Sequence, residues 1–595
     1  MSIMQKFNKE NWLKNRIVLL PVLLIILATG LNSCNDDENI IKDPPTFSLT
    51  SESAQSVAGA EVSTLISINA PAGAKSLNIL RNGSPYSTVP FNGETSLEYE
   101  FLYELEALDP GTNITFSFQV SDLMDRTTNV TTFTVIVIAK PIVEIPEGSL
   151  QGTINWTADN IYRLNGFVRV DDGAKLYIEP GTLIIGDRES KGTLIVQMGG
   201  QIFAEGTREN PIVMTSENPP GLREPGDWGG LVVCGRAPNN VTAVTGQPVE
   251  LEGGYGGWHG GNDPDDNSGV IRYVRIEYAG IPINPNEEVN TLTMGSVGRG
   301  TIIEYVMASY GLDDAFEWFG GTVDAKYLIA YRNLDDDWDV DLGYSGRVQF
   351  GLSIRGASLA DQSGSNGFEV DNNGAGSNAQ PFTSGVFANI TNIGPKKTRE
   401  TAISLQFQHA AQLRRNSRIS IYNSVMTGYP DGLYVDDARG GSGQAALNNE
   451  LQIRNVYLAG VEHWGGNGYG SAGETFTGAP ANGAQHPNNP RGRALKSHEN
   501  FPGGQEAYEE WFHRSEFNNH LIDSWTSLGI DGSIFDLGIP KVTLDSGSPL
   551  INAAKWDNTP KADNWFEKVP YVGAFGTEDW TEGWAEWNAH LVRYY

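Results

Sequence analysis

The sequence predicts an all-β protein in two parts, an immunoglobulin-like β-sandwich followed by a right-handed parallel β-helix. Three observations predict it. Gly and Pro number 69 and 30 in 595 residues, which implies many turns and few long helices. Apolar residues alternate with polar ones in runs of four to eight, a strand period. Beyond residue 260 short strand-like motifs recur at intervals of 22 to 32 residues, the spacing of stacked coils. Composition also excludes classes. A formal charge of −31 opposes nucleic acid as a partner, since phosphates would be repelled. Two cysteines, Cys34 and Cys234, cannot build a disulfide scaffold or a four-cysteine zinc site. Cys234 follows the apolar run Leu231-Val232-Val233 and reads as a buried small hydrophobe.

Residues 1–33 read as an export signal. Lys6, Lys9, Lys14 and Arg16 precede an apolar run of 12 residues, Ile17 to Ala28, interrupted by Pro21. This is the basic head and short apolar body of a secretory signal; a spanning helix needs about 20 residues. Leu31-Asn32-Ser33-Cys34 resembles the lipobox of bacterial lipoproteins. The resemblance implies acylation (palmitate) of Cys34 and anchoring in the outer membrane, for which two or more acyl chains suffice. The acidic tether 34–46 opens with Asn35-Asp36-Asp37-Glu38, which is similar to the signal carried by surface-exposed lipoproteins of Bacteroidota.

Residues 47–140 form the expected sandwich. Val62 to Ile68, Ser76 to Arg81, Thr115 to Val120 and Thr131 to Ile138 are β-rich runs separated by Asn82-Gly83, Asn92-Gly93 and Pro110-Gly111 turns. No catalytic grouping occurs here, and the domain reads as a spacer.

Residues 141–595 form the expected β-helix with loop insertions and a C-terminal cap. Ile271-Arg272-Tyr273-Val274, Ile303-Glu304-Tyr305-Val306 and Ala325-Lys326-Tyr327-Leu328 align at offsets of 32 and 22. A second series aligns Phe316-Glu317-Trp318-Phe319, Trp338-Asp339-Val340-Asp341, Phe368-Glu369-Val370-Asp371 and Leu433-Tyr434-Val435-Asp436. Its last step of 65 leaves room for a further coil. Alternation then sends Phe316, Trp338, Phe368 and Leu433 inward and their acidic neighbours outward. Parallel crossovers favour the right-handed form. Trp580, Trp584 and Trp587, four and three apart, predict a short amphipathic capping helix.

The segments DGAKLYIEPGTLIIG (172–186), GDWGGLVVCG (226–235), GLDDAFEWFGGTVDAKYLIAYRNLDDDWDVDLGYSGRVQFG (311–351) and PYVGAFG (570–576) resemble β-helical surface lipoproteins of Bacteroidota. That resemblance implies fold and location and no particular activity.

The candidate site is the outward face of the second series. Asp339, Asp341, Glu369 and Asp371 would share one exterior surface, with Asp314, Asp336, Asn366 and Asp431 in the preceding turns. Carboxylates one coil apart repel unless a cation, proton or base intervenes, and such oxygens suit Ca²⁺. Three readings stand open: a Ca²⁺ site, a solvated acidic wall, and a catalytic carboxylate cluster of a polysaccharide lyase or hydrolase. Arg332, Arg347 and Arg355 are the nearby bases. A second candidate is the aromatic content of two glycine-rich loops, Tyr255, Trp258 and His259 in EGGYGGWHGGNDPDDN (252–267), and Trp464 and Tyr469 in HWGGNGYG (463–470). Loop aromatics can stack on sugars or fill a partner's pocket. The expected function is a cell-surface lipoprotein that binds glycan or a partner outer-membrane protein, as an accessory of a nutrient-uptake or export assembly. Replacing Cys34 with Ser is expected to abolish acylation and release the chain from membranes; labelled palmitate retained by the variant would refute the lipid anchor.

Overall fold

The computed structural model describes residues 42–57, 59–106, 110–285, 287–398, 400–461 and 494–595. Cys34, the acidic tether to residue 41, Trp464 and Tyr469 lie outside them. The chain divides into two compact units, with the division after Pro141.

The first unit is a β-sandwich. A three-stranded antiparallel sheet is ordered Thr46–Leu49, Glu61–Asn69, Ser96–Glu104. A five-stranded sheet, antiparallel except for the parallel first pair, is ordered Ser53–Ser56, Thr131–Val137, Asn113–Asp122, Ala74–Arg81, Ser84–Pro90. Strict alternation places Ile66, Ile68, Leu77, Phe116, Phe118, Phe133 and Val135 inside, all at most 2 % exposed. Asn82 and Gly83 turn with φ of 50° and 81°, the left-handed pair that a two-residue hairpin requires between Ala74–Arg81 and Ser84–Pro90.

The second unit is the parallel β-helix. Its early coils have three short faces, as in Phe167–Val170, Lys175–Ile178 and Leu183–Gly186, each paired in parallel with Thr193–Val196, Gln201–Glu205 and Ile212–Ser216 of the next coil. From Gly269–Glu277 to Val386–Ile393 two faces fuse into one bent strand, and they separate again in the later coils. The bend falls at Tyr273, Tyr305, Tyr327 and Phe350, each with φ between 49° and 62°. A left-handed aromatic costs about 1–2 kcal/mol. Stacking offsets this, because the rings pile face to face at 4.4, 4.4 and 4.9 Å. Asparagines continue the column: Asn455 donates to Asn423 at 2.7 Å and Asn518 to Asn455 at 2.6 Å.

The repeat alignment holds in the ladder. Phe316 pairs with Trp338, Trp338 with Phe368, Phe368 with Ala411, and Ala411 with Leu433. The strand His409–Arg414 is therefore the coil for which the 65-residue step left room. Phe316, Trp338 and Phe368 are fully buried, with ring centroids 5.4 and 6.2 Å apart.

The C-terminal expectation needs correction. Residues 580–587 form turns and no helix. Their tryptophans pack along the flank, Trp584 edge-on to Tyr273 and Tyr305, and Trp587 edge-on to Tyr331. Spacing of three and four suited a helix, but the indoles are held instead by carbonyls, Trp580 donating to Ala574 and Trp584 to Trp580. The helix that packs on the strand Leu495–Ser497 is Gly504–Phe512, which buries Tyr508, Trp511 and Phe512. Among the described residues no helix is long and apolar enough to cross a membrane.

One buried ion pair anchors the turn that leads to the acidic strand. Arg355 and Asp337 are wholly buried and 2.9 Å apart. Arg355 also donates to the carbonyls of Leu334 and Asp335, and Tyr429 donates to Asp337. Replacing Arg355 with Met would leave a buried carboxylate uncompensated, and a loss of about 3–5 kcal/mol is expected in denaturant unfolding. Adding Asp337→Leu to that variant should recover part of the loss.

Candidate functional site

The carboxylates converge on a cleft of about 660 Å³. Its floor is the exterior of Phe316–Phe319, Trp338–Asp341 and Phe368–Val370. Because an apolar residue in each strand turns inward, the next residue must turn outward, and parallel register stacks Glu317, Asp339 and Glu369 in one column. Asp314, Asp336, Asp341 and Asp371 line the same space. Asp313, Asp335 and Asp361 join from the turns, Glu252 and Glu288 from two insertions.

The preceding turns form a ladder of their own. Asp314 accepts the backbone N–H of Asp336 at 2.7 Å, Asp336 that of Asn366, and Asn366 that of His409 at 3.1 Å. One carboxylate oxygen is thus committed to register and the other is left to the cleft. Asp339 makes no hydrogen bond or ion pair with the protein among those described.

The four predicted metal ligands divide. Asp339 belongs to two triads, one with Asp314 and Glu317 and one with Asp336 and Glu369, and within each the candidate ligand oxygens lie within 4.8 Å of one another. Asp341 hydrogen-bonds its neighbour's backbone at Leu342. Glu369 and Asp371 are both gripped by Arg414, and Asp371 also by Arg415 at 2.5 Å. Arg414 takes the ladder place between Asp371 and Asp436, which therefore do not adjoin. The bases named from sequence lie elsewhere. Arg355 is in the core, Arg347 pairs with Asp324 and Asp563, and Arg332 donates to the Asp536 carbonyl. Arg414 and Arg415 went unnoticed because their coil lacks the acidic signature of its neighbours.

Burial raises these carboxyls. It pushes Asp336 and Asp341 up to about 6, against the backbone hydrogen bonds and arginines that pull the other way. For Asp313, Asp314, Glu317, Asp335 and Asp339, burial and then neighbouring carboxylates hold the acid well above its ordinary range.

The loop aromatics separate in the same way. Tyr255 is 6 % exposed and stacks on Phe167, with centroids 5.9 Å apart. His259 is 1 % exposed, hydrogen-bonds with Ser296 at 2.9 Å, and is pushed down to about 3 by burial. It sits on Gly295, where a Cβ would come within 2.7 Å of the imidazole. These two residues pin the loop. Trp258 between them is 46 % exposed. Cys234 is buried and its thiol pushed up to about 12.

Fold and site together define a parallel β-helix with an acid-lined cleft on one sheet. A model of the pectate-lyase-like β-helix domain family matches residues 148–485, more than half the chain, and the protein belongs to that family. Solved structures similar to it include the catalytic unit of a GH87 α-1,3-glucanase from Streptomyces thermodiastaticus. That likeness is 11 % identical and covers 81 % of this chain and 98 % of that one, with a TM-score of 0.28. Fibronectin(III)-like modules of Clostridium thermocellum CbhA cover 16 % of this chain and 97 % of theirs, at 12 % identity and TM-score 0.13. Pectate lyase Pel3 from Pectobacterium carotovorum covers 66 % of this chain and 89 % of its own, at 8 % and 0.09. Likenesses of this order define no substrate or activity for the chain. Comparison with curated proteins gave no match.

The raised carboxyls fix a pH dependence. Protonated in the fold and ionised when unfolded, they contribute stability that is fully present below about pH 4, the unfolded range. That stability is lost as pH rises through about 6, the value for Asp336 and Asp341, and on through about 8, the value for Asp371. In chelator the melting temperature should fall across this window, and Asp339→Asn should flatten the fall; a melting temperature that rises there would refute the crowding.

Proposed function

We propose that the protein is a lipid-anchored protein of the outer membrane, facing the cell exterior, whose acidic cleft binds a glycan with Ca²⁺ assisting. The observation that carries this reading is the cleft itself, a carboxylate column on the exterior of a β-helix sheet with Arg414 and Arg415 at one end. Carboxylates accept hydrogen bonds from sugar hydroxyls, and Ca²⁺ takes six to eight oxygens from both protein and ligand. Trp258 offers an exposed ring on the loop that also supplies Glu252 to the cleft. Such a protein would serve as an accessory of a nutrient-uptake or export assembly, with an outer-membrane protein as partner.

A second reading is a polysaccharide lyase or glycoside hydrolase. It is favoured by an arginine-paired carboxylate, Glu369, beside Asp314, Glu317 and Asp339, which burial raises toward protonation. Hydrolysis needs such an acid and such a carboxylate. Affinity gels containing neutral and acidic polysaccharides distinguish the two. Binding predicts retardation that Asp339→Asn and chelator both abolish, with no new chain ends. New ends that disappear with Asp339→Asn would establish the enzyme, and no retardation by any polysaccharide would refute glycan binding.

A further inference from the structure

We infer that the cleft holds three divalent cations in a row, Asp314 bridging the first and second and Asp339 the second and third. This rests on reading the cleft as a cation-assisted site and adds the number and linkage of the cations. Three carboxylate triads each bring one oxygen per residue within 4.8 Å of one another: Asp313, Asp314 and Asp335; Asp314, Glu317 and Asp339; Asp336, Asp339 and Glu369. The first and second share Asp314, the second and third share Asp339. Consecutive triads therefore have a common member, and a carboxylate has two oxygens, one for each neighbour. Carboxylate-bridged two-metal centres hold their ions about 3.5–4 Å apart, and coils stack at about 4.8 Å, so the ladder supplies nearly the needed repeat.

Neutral oxygens give a second, independent indication. Asn290 is 2 % exposed; its Nδ2 donates to Glu317, and its Oδ1 has no hydrogen-bond partner. Thr293 is 1 % exposed, pairs in register with Glu317, and leaves Oγ1 without a partner. At the other end Gln412, 7 % exposed and paired with Glu369, leaves Oε1 without one. Within the first triad itself, the carboxylate oxygen Asp335 Oδ1 is also buried and without a partner among the described residues. A buried polar atom without a partner costs about 1–3 kcal/mol. Here such oxygens border the carboxylate column at both ends, and oxygen is the donor that hard divalent cations take. Charge agrees. Among the described residues, Glu369 is the one carboxylate of the three triads that pairs with an arginine. Protons could neutralise the remainder instead, and the experiment separates protons from cations.

The full chain, stripped with chelator and exchanged into buffer at pH 7.5, is titrated with Ca²⁺ calorimetrically. Bound metal is counted by mass spectrometry after gel filtration. Three ions per chain are expected. Asp339→Asn should remove at least two, Asp313→Asn, which belongs to the first triad alone, should remove one, and Asp371→Asn, outside all three triads, should remove none. Loaded with Mn²⁺, the protein should give the broadened electron-spin resonance of exchange-coupled ions, with fold checked by thermal melts. One or two ions per chain, or the resolved hyperfine signal of isolated Mn²⁺ at full loading, would overturn the bridging and leave cation-assisted binding intact. No bound ion in a folded protein would overturn both.

Discussion

Parallel register between consecutive coils is the constraint from which the rest follows. Each coil places the same ladder position over the last, so whatever one strand turns inward or outward is repeated about 4.8 Å away. Inside, repetition is favourable: Phe316, Trp338 and Phe368 stack into a dry column. Outside, the same repetition forces Glu317, Asp339 and Glu369 together. The apolar stack and the crowded carboxylates are two faces of one ladder, and a slip of one residue would exchange them.

The acidic cleft is held against its own repulsion by devices outside it. Asp314, Asp336 and Asn366 each accept a backbone N–H from the next coil, tying the turns in register. Arg355 and Asp337 fasten the Asp335 turn from inside, while Arg414 draws Glu369 and Asp371 together. Asp371 is raised even so, as are the carboxyls without an arginine, because burial and crowding are not fully offset. A structure that concentrates acids on rigid strands rather than loops holds its ligand oxygens at set spacings, a requirement for any cation or sugar that is to be bound selectively.

The bent strands show how the coil tolerates strain. Tyr273, Tyr305, Tyr327 and Phe350 occupy a left-handed conformation that single residues rarely adopt. Repetition converts a local cost into a stacking surface, which the C-terminal segment covers with Trp580 and Trp584.

The sequence by itself determined the coil and its register, because strand periodicity and the apolar identities of Phe316, Trp338 and Phe368 leave one alignment that buries them all. It thereby determined the acidic column too, since Asp339 and Glu369 flank those residues. What it could not determine is what meets that column from elsewhere in the chain. Glu252 and Glu288 arrive on insertions with no repeat, and Arg414 comes from a coil whose motif departs from its neighbours. Tyr255 and His259 looked like free loop aromatics, yet packing on Phe167 and Gly295 buries them and leaves Trp258 exposed. The tryptophans of 580–587 carry helical spacing, but in the fold they pack edge-on against the Tyr273–Tyr327 stack from a segment of turns. Local period fixes which side of a strand a residue takes; which distant side chain covers that side is decided only when the coil closes and the insertions fold back onto it.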